Sequence, residues 1–550
     1  MTICNKNVTK EKIQYVKITL ILLFMSHEYS PNHIRLLTLN LLYMNQRLRR
    51  LFSLMFSVSV MQFLLAQVVI NDVNFPDKLF RDHVSTNYDL DKNDTLSTTE
   101  IEKVDTIDVS LRYTGNKDNM MTDLTGIEYF TALKKLGCSY HALTSIDISK
   151  NTELTELRCD RNSLTSLNVT ENKALRVLHC DLNEIEYLDV SKNTELEELW
   201  CGSNMLITLN VSKNLALTEL DCPRNWLLNL NLTNNVKLKS LNCGRNMLSS
   251  LDVSKNIELE SLLCWQNQLT SLLLPNSTAL KTISCWTNNL ISLDVSKNTA
   301  LEYLLCYWNP LTSLDVSNNT ALIEFECKSN QLTTLDVTKN TKLEVLDCSE
   351  NQLTSLDLSN NTLLKRLYCS SNNLSSLDLS NNLNLNPTMS WYVDCSDNSY
   401  TVNIDKTFIF NLSSLPGEFD HTRMSIKSGN AVDKDGYLNI DESIGDDTIK
   451  VVYEYIANKD YTFEYTLNLV PMEANDVPLV NSVDAYSFYP NPAKSSVSVL
   501  STGYYKIYDG SGMLLQSGMA EKNDKINISN LSPGVYLFDF EGRIEKLFVK

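Results

Sequence analysis

Cysteines are the residues of this chain whose spacing first suggests chemistry. Twelve of its fourteen cysteines follow one another at intervals of 21 residues. Thiolates ligate zinc and cysteine pairs form disulfides, so both kinds of site have to be weighed. The evenly spaced cysteines are Cys138, Cys159, Cys180, Cys201, Cys222, Cys243, Cys264, Cys285, Cys306, Cys327, Cys348 and Cys369.

A second candidate site is the acidic stretch DLDKNDTLSTTE, which matches the calcium loop of EF-hand proteins. Asp94 stands where glycine usually makes the sharp turn of that loop. As an alternative, Ser97 could form only a capping box that opens the next helix, and the two interpretations are compatible. The sequence predicts a structural calcium site. Its ligands would be Asp89, Asp91, Asn93, the carbonyl of Thr95, and Glu100.

The cysteines belong to a 21-residue repeat that must position everything else. Counted from each cysteine, leucine-type residues lie at −5, −2, +5 and +8, and asparagine lies at +3 and at +13 in eleven of twelve units. One such unit cannot bury its own apolar face, so successive units stack and share a core. Neither half of the unit has helical periodicity. We therefore predict a mainly β solenoid with two extended segments per turn, a small helical EF-hand-like cap before it, and β-sandwich modules after it.

Stacking explains the cysteines without any reaction. Side chains at −5, −2 and 0 should point inward, whereas those at −3, −1 and +1 should face outward. Parallel strands in register hold neighbouring Cβ atoms ~4.8 Å apart, but a disulfide needs ~3.8 Å. A metal column would need converging ligands. We expect the cysteines to be small buried hydrophobic residues, and their spacing to be a packing period.

The outward positions are the ones that vary freely from unit to unit. Three consecutive units place Trp265, Trp286 and Tyr307 at +1. Rows of exposed aromatic residues bind sugars or proteins, although these rings could instead shield one another and stiffen the sheet. Acidic neighbours such as Glu324 and Glu326 favour a neutral or basic ligand. The predicted ligand-binding residues are Trp200, Trp265, Trp286, Tyr303, Tyr307, Trp308 and Tyr368.

The repeats resemble the 21-residue leucine-rich repeats of exported proteins from Bacteroidetes-type bacteria, which are sometimes grouped with internalin-like surface proteins. The resemblance covers residues 104–398. The last unit, WYVDCSDN, is degenerate, because Cys395 follows Cys369 by 26 residues. This offset marks the end of regular stacking.

The C-terminal residues 486–550 resemble the sorting domain of the type IX secretion system. The matching parts are Tyr489-Pro490-Asn491-Pro492, YKIYDGSGMLLQ and LSPGVYLFDF. Their alternating apolar residues and turn signals are typical of a small antiparallel β-sandwich. The resemblance implies that the type IX secretion machinery is a partner, and that the mature protein is secreted or attached to the outer membrane surface.

The remaining segments complete the predicted organisation. MNQRLRRLFSLMFSVSVMQFLLAQ predicts a cleaved signal peptide at 44–66, with an uncleaved anchor as the alternative. Residues 1–43 are then a non-native extension, and we expect no transmembrane anchor in the mature chain. A helical cap follows at 67–103. After the solenoid come a β-rich module at 399–470, in which Asp435-Gly436 predicts a hairpin turn, and a linker at 471–485.

Composition narrows the function. The net charge of −18 disfavours nucleic acid as a partner, and six histidines leave little acid–base chemistry. The sequence has no nucleophile–base pairing, phosphate loop or zinc spacing, so we predict a protein that is not an enzyme and needs no cofactor beyond calcium. We predict an adhesin-like protein that binds a host or bacterial surface protein or glycan. The alternatives are a passive spacer in the cell-surface layer, or a carbohydrate-binding accessory module around 400–470.

Overall fold

The computed structural model describes residues 67–111, 119–385, 392–404, 409–440 and 448–471, and most of the strands between 488 and 549. The predicted extension at 1–43, the signal peptide at 44–66 and nearly all of the linker lie outside the described residues. The chain divides into two compact units. The first extends to residue 395 without 373–377, and the second contains 373–377 and the residues from 396 onward.

The first unit is a parallel β-solenoid, and the prediction of a mainly β repeat fold is confirmed. One 14-stranded sheet contains its strands in chain order. Between the second and the thirteenth strand, each pairs in register with the strand 21 residues away, as Leu304 does with Phe325. The strands are Thr106–Asp108, Lys135–Gly137, Glu156–Arg158, Val177–His179, Glu198–Trp200, Glu219–Asp221, Ser240–Asn242, Ser261–Leu263, Thr282–Ser284, Tyr303–Leu305, Glu324–Glu326, Val345–Asp347, Arg366–Tyr368 and Val393–Asp394.

The core runs through the middle of every turn. In one turn Leu301, Leu304 and Cys306, at −5, −2 and 0, have no exposed surface. Leu311 and Val316, on the opposite side of the same turn, are also fully buried. Burying one leucine side chain contributes about 1.5–3 kcal/mol, so the stacked turns together gain what a single turn lacks.

The asparagine at +3 ties each turn to the one before it. Asn288 donates through Nδ2 to the carbonyl oxygens of Cys264 (3.1 Å) and Cys285 (2.9 Å), and its Oδ1 accepts from the backbone N–H of Leu269 (3.0 Å). The same bonds recur at +3 from Asn162 to Asn372. These side chains satisfy backbone groups that the bend would otherwise leave buried and unpaired.

In the first turn a histidine replaces this asparagine and forms similar hydrogen bonds with the backbone. His141 accepts from the backbone N–H of Met121 at Nδ1 (3.0 Å), and its Nε2 lies 2.8 Å from the carbonyl oxygen of Val109. The imidazole is almost fully buried. The single departure from asparagine at +3 is therefore a structural substitute.

The residue at +2 has a left-handed backbone in every turn. Its φ is 55° at Arg161, 53° at Thr287 and 55° at Trp308. This conformation costs a side-chain-bearing residue about 1–2 kcal/mol, and glycine usually supplies it. Because no turn carries glycine at +2, the bend was not visible as a sequence signal.

The second extended segment of each turn forms a strand less often than the first. Among the described residues, only Ser250–Asp252 and Ser271–Leu273 pair as parallel strands there. The residue at +9 usually caps the backbone N–H at +11, as Asp315 Oδ1 does for Ser317 (2.8 Å). This Asx turn explains why Asp or Asn recurs at +9 and Ser or Thr at +11.

The cap before the solenoid contains the two expected helices. Helix α1 spans Lys78–Asn87 and begins at Asp77, whose side chain accepts from two backbone N–H groups. Helix α2 spans Thr98–Ile101 and opens with a capping box between Ser97 and Glu100. The strands Val68–Val69 and Thr95–Leu96 pair antiparallel, and a 3₁₀ turn at Ile127–Tyr129 leads into the first complete repeat.

The cysteines behave as predicted except at the end of the array. The eleven from Cys138 to Cys348 are free and buried. Cys369, however, forms a disulfide with Cys395, so the expectation that stacking keeps neighbouring cysteines apart is wrong at this position. The sequence separation there is 26 residues instead of 21.

The second unit is also built from sheets. A four-stranded sheet has the order Asn398–Ile404, Thr462–Pro471, Ile449–Ile456 and Met424–Ser428, and a three-stranded sheet has the order Ile409–Asn411, Tyr437–Ile440 and Ala431–Lys434. Short 3₁₀ turns lie at Leu412–Ser414 and His421–Arg423. Asp435 and Gly436 have φ values of 55° and 84° between two antiparallel strands, which confirms the predicted hairpin.

The C-terminal part of this unit has two antiparallel sheets around one apolar core. The first sheet contains Phe488–Tyr489, Ser496–Val499 and Lys525–Asn527, and the second contains Leu514–Ala520, Gly503–Tyr508, Gly534–Phe540 and Arg543–Val549. Val497, Ile507, Phe538 and Leu547 are fully buried between them. This arrangement is the expected β-sandwich.

Buried thiols should resist chemical labelling. Burial, with a smaller effect of neighbouring thiols, raises the pKa of Cys201, Cys222 and Cys264 well above the ordinary value for a thiol. We expect a thiol-specific reagent to modify none of the cysteines from 138 to 348 in native protein, and all of them in guanidinium. Peptide mapping without reductant should leave Cys369 and Cys395 unmodified in both states. Ready labelling of the native array would contradict its buried arrangement.

Candidate functional site

The outer face of the large sheet presents its side chains in columns. Residues at −3 and −1 come from each strand, and residues at +1 and +2 come from the bend that follows. Because the strands pair in register, equivalent side chains of adjacent turns are direct neighbours; Tyr303, for example, lies beside Glu324. Any site on this face is therefore built by several turns together.

Four predicted aromatic residues form one cluster, the aromatic platform: Trp265, Trp286, Tyr307 and Trp308. The ring centroids of Trp265 and Trp286 lie 5.0 Å apart with planes at 6°, and those of Trp286 and Tyr307 lie 5.2 Å apart at 8°. Trp308 packs edge-on against Tyr307 at 5.3 Å. Each such pair contributes about 0.5–1.5 kcal/mol beyond its buried area.

Stacking leaves the rings of the platform unequally exposed. Trp265, Trp286 and Tyr307 are half-buried because each covers a face of the next, while Trp308 is 51% exposed. Trp265 also lies over the backbone of Gly244, where an added Cβ would approach Cε2 of the indole to 2.5 Å. The platform therefore presents mainly ring edges to solvent, together with the whole side chain of Trp308.

The other predicted aromatic residues lie elsewhere on the sheet. Trp200 stacks on His179 with centroids 4.1 Å apart, and its Nε1 donates to Glu219 (3.0 Å). Tyr303 lies on the strand that leads into Tyr307, and Tyr368 lies three strands further along. The structure thus brings four of the seven predicted residues together in one ring cluster.

His179 is a residue of the outer sheet face that the sequence-based prediction did not include. Its side chain is almost fully buried, with Nε2 2.6 Å from Oε1 of Glu198 and Nδ1 3.3 Å from Nη1 of Arg158. The available signal was its −1 position, one turn before Trp200, which predicts adjacency. His179 and Trp200 form a second, smaller aromatic group whose polar atoms contact Arg158, Glu198 and Glu219.

Carboxylates flank the platform on its C-terminal side. Glu324 and Glu326 alternate on one strand, and Asp347 lies on the next strand beside Glu326. Burial, followed by the charges of Glu324 and Asp347, raises the pKa of Glu326 to about 7, against a smaller opposing effect of Arg366. The strand beside the platform therefore carries two carboxylates, of which Glu326 changes its charge near neutral pH, while Lys328 at +1 of the same turn is paired with Glu350 (3.0 Å).

The acidic loop before the solenoid has its carboxylates close together. One oxygen each from Asp89, Asp91 and Glu100 lies within 4.8 Å of the others. Asp94 has a φ of 60°, so it supplies the left-handed turn in place of glycine. Asn93 donates to Asp91 (2.7 Å), and its own side-chain oxygen accepts from the N–H of Thr95 (2.8 Å).

The side chains of this loop are consistent with both interpretations, a calcium site and a capping box. Three carboxylates and a side-chain amide match the hard oxygen ligands that Ca²⁺ takes. Glu100 also accepts from the backbone N–H of Ser97 (2.8 Å) and of Leu90 (2.7 Å), so the capping interpretation holds as well. Calcium at Asp89, Asp91, Asn93, Thr95 and Glu100 stays a prediction.

Titration calorimetry with calcium chloride tests this loop. Because the ligands cluster, we expect one site per chain in the wild type and no binding heat in Asp89→Ala or Glu100→Ala. Asp435→Asn, in the hairpin of the second unit, is the matched control and should bind like the wild type. Absence of heat from the wild type would refute the prediction.

The sequence-based prediction also did not include a group of exposed residues after the bend, because it considered only the columns of side chains on the strands. Trp226 at +4 is 59% exposed and Leu228 at +6 is 52% exposed. The available signal was apolar residues at positions that are polar in most other turns.

Comparison with known families identifies the C-terminal domain. Residues 487–550 match the secretion system C-terminal sorting domain, which marks a protein that is secreted or held at the cell surface. Within the part of the chain that the structure describes, no helix is long and apolar enough to cross a membrane.

The solenoid is similar to internalins of Listeria monocytogenes. A 78-residue stretch is 38% identical to internalin J, covering 14% of this chain and 8% of that protein, so the match spans less than a tenth of this relative. The solved functional domain of internalin J, described as including a cysteine ladder, has 30% identity, covers 73% of this chain and 98% of that domain, and has a TM-score of 0.55. The crystal structure of internalin InlF has 19% identity, covers 61% and 86% of the two chains, and has a TM-score of 0.42.

The similarity to the internalin J domain extends over nearly all of that domain. On this evidence the chain belongs to the internalin-type leucine-rich repeat proteins.

Proposed function

We propose that this protein is a non-enzymatic, adhesin-like binding protein that holds a protein partner on the aromatic platform. One observation carries the proposal: Trp265, Trp286, Tyr307 and Trp308 from three consecutive turns form a single cluster on the outer sheet face. Tryptophan and tyrosine dominate the binding energy of protein interfaces, and clustered apolar surface usually marks an interaction site.

The geometry of the rings favours a protein over a glycan. A sugar ring stacks on an open aromatic face, but the three stacked rings cover one another and Gly244 lies under the outermost indole. Ring edges and the exposed side chain of Trp308 suit the pockets and side chains of a protein surface. Glycan binding is the alternative outcome of the experiment below.

Charge supports a partner with basic residues. Glu324 and Glu326 lie on the strand next to that of Tyr303, Asp347 lies one strand further, and the chain as a whole carries a charge of −18. Complementary potentials speed encounter and select the register of docking. The partner is therefore a protein whose contact surface combines apolar side chains with lysine or arginine.

Export is the second part of the proposal. The sorting domain supports passage through the type IX secretion machinery, and the apolar segment at 44–66 would act as the cleaved signal peptide. The solenoid would then present the platform outside the cell, either attached to the surface or released. Host or bacterial surface proteins are the partners within reach.

A matched triple variant tests the platform. Trp265→Ser, Trp286→Ser and Tyr307→Ser place at +1 the residue that Ser139, Ser349 and Ser370 already supply. Screened on arrays of surface proteins and glycans, the wild type should bind protein partners and the variant should lose affinity at least tenfold. Circular dichroism should show a retained fold, with Tm lowered by no more than a few degrees.

The control for this test changes exposed residues in the same region. The triple variant Thr270→Ala, Thr312→Ala and Thr333→Ala should bind like the wild type. Unchanged binding by the serine variant would refute the platform. A wild type that binds no array member would favour the passive spacer, in which the stack only stiffens the sheet.

Binding should also depend on pH. Glu326 has a pKa of about 7 and is charged above it, so attraction to a basic partner should grow as the pH rises from 6 to 8. One partly exposed ion pair corresponds to about a two- to fivefold change in affinity. Glu326→Gln should remove most of this dependence in a binding titration. An equal pH dependence in that variant would exclude Glu326 as its source.

A further inference from the structure

The exposed residues just after the bend change character in three adjacent turns. Position +4 is polar in turns such as those with Gln268, Gln331 and Gln352, and position +6 is usually threonine. In the turns of Cys201 and Cys222 both positions carry large apolar residues instead, and in the turn of Cys243 position +4 does so while +6 is Ser249. These five side chains, here called the Trp226 patch, are Met205 (41% exposed), Ile207 (51%), Trp226 (59%), Leu228 (52%) and Met247 (44%).

The backbone places these side chains side by side. Trp226 N–H donates to the carbonyl of Leu206 (2.9 Å), and Met247 N–H donates to that of Leu227 (3.0 Å), so equivalent residues are one turn apart. Leu227 at +5 is fully buried between its two exposed neighbours. Because +5 points inward, the side chains at +4 and +6 point outward. The apolar surface therefore extends over three turns at +4 and over two turns at +6.

Neighbouring turns define where the patch ends. Glu184 and Glu186 occupy +4 and +6 of the preceding turn and are exposed, and Gln268 and Thr270 occupy them in the following turn. At positions +4 and +6 the flanking turns on both sides are therefore polar. Unlike the rings of the aromatic platform, Trp226 does not stack within a column of aromatic rings, because its equivalents one turn away are methionines.

Two arginines give the patch a charge opposite to that of the chain. Arg224 and Arg245 lie at +2, two residues before Trp226 and Met247, and both are exposed. Their backbones have a φ of 54°, so the bend holds both at the same place in successive turns. A partner that buries the apolar residues would bring its own charged groups against these guanidinium groups, where carboxylates are favoured.

We propose that the Trp226 patch is a second protein-docking surface, whose occupant is a segment with an apolar face flanked by carboxylates. The proposal is independent of the aromatic platform, which is bordered by acidic residues and selects basic partners. An exposed tryptophan surrounded by methionine, isoleucine and leucine has the composition of an interface centre. The acidic residues Glu184 and Glu186 repel the occupant's carboxylates at the opposite end, so the segment docks in one direction.

The experiment uses the intact protein and three synthetic amphipathic 16-residue peptides. The peptides share their leucine and phenylalanine positions and carry glutamate, glutamine or lysine elsewhere. By fluorescence anisotropy, we expect the glutamate peptide to bind at least tenfold more tightly than the lysine peptide. Failure of every peptide to bind, or preference for lysine, would overturn the proposal.

Matched variants locate the binding. Met205→Gln, Trp226→Gln and Met247→Gln together install the residue found at +4 in other turns, and should weaken binding of the glutamate peptide at least tenfold without unfolding the array. Arg224→Ser with Arg245→Ser introduces the residue that Ser203 and Ser329 already supply at +2, and should abolish the charge preference. Unaltered binding in either variant would overturn the assignment.

Two further measurements separate the patch from its alternatives. The serine variant of the aromatic platform should bind the glutamate peptide like the wild type; loss of binding there would transfer the peptide site to the platform. Sedimentation of the wild type should show a monomer. Self-association that the glutamine variant abolishes would overturn the stated partner and identify a second copy of the chain as the occupant.

Discussion

The hydrogen bonds of the asparagine at +3 are the constraint on which this structure depends. One side-chain amide forms hydrogen bonds with the backbone of its own turn at the bend and with the backbone of the preceding turn, so it holds the two turns together. It also supports a left-handed residue at +2 that carries a side chain. Losing such a buried partner costs about 1–3 kcal/mol, so a repeated array cannot tolerate many departures. His141 shows what a replacement of this asparagine requires: its imidazole forms hydrogen bonds with the equivalent backbone groups.

Much of the fold could be predicted from the sequence because a strict repeat turns one local solution into many. The period, the buried leucine and cysteine positions and the in-register sheet all follow from it. The disulfide between Cys369 and Cys395 could not be predicted, because it forms where the period fails. The left-handed bends were hidden for a different reason: their backbone strain is offset by hydrogen bonds in the adjacent turn, and no glycine marks them.

The candidate site was predicted in part. Column positions correctly brought Trp265, Trp286 and Tyr307 together, since in-register strands make equivalent residues neighbours. How far the rings cover one another depends on their χ angles and on the space above Gly244, which a repeat pattern does not contain. Trp226 was overlooked because exposure after the bend depends on the inward direction of Leu227, and that direction became evident only with the backbone in place.

Because all regular turns have the same length, the number of turns between two groups of surface residues sets the distance between them. Each 21-residue cassette advances the sheet by one strand spacing, about 4.8 Å, whatever its outer side chains are. Recombination that inserts or deletes a cassette between two groups of surface residues would shift their separation by that fixed step while preserving each group's chemistry. The distance between two binding surfaces could thus change while the residues of each surface stay the same.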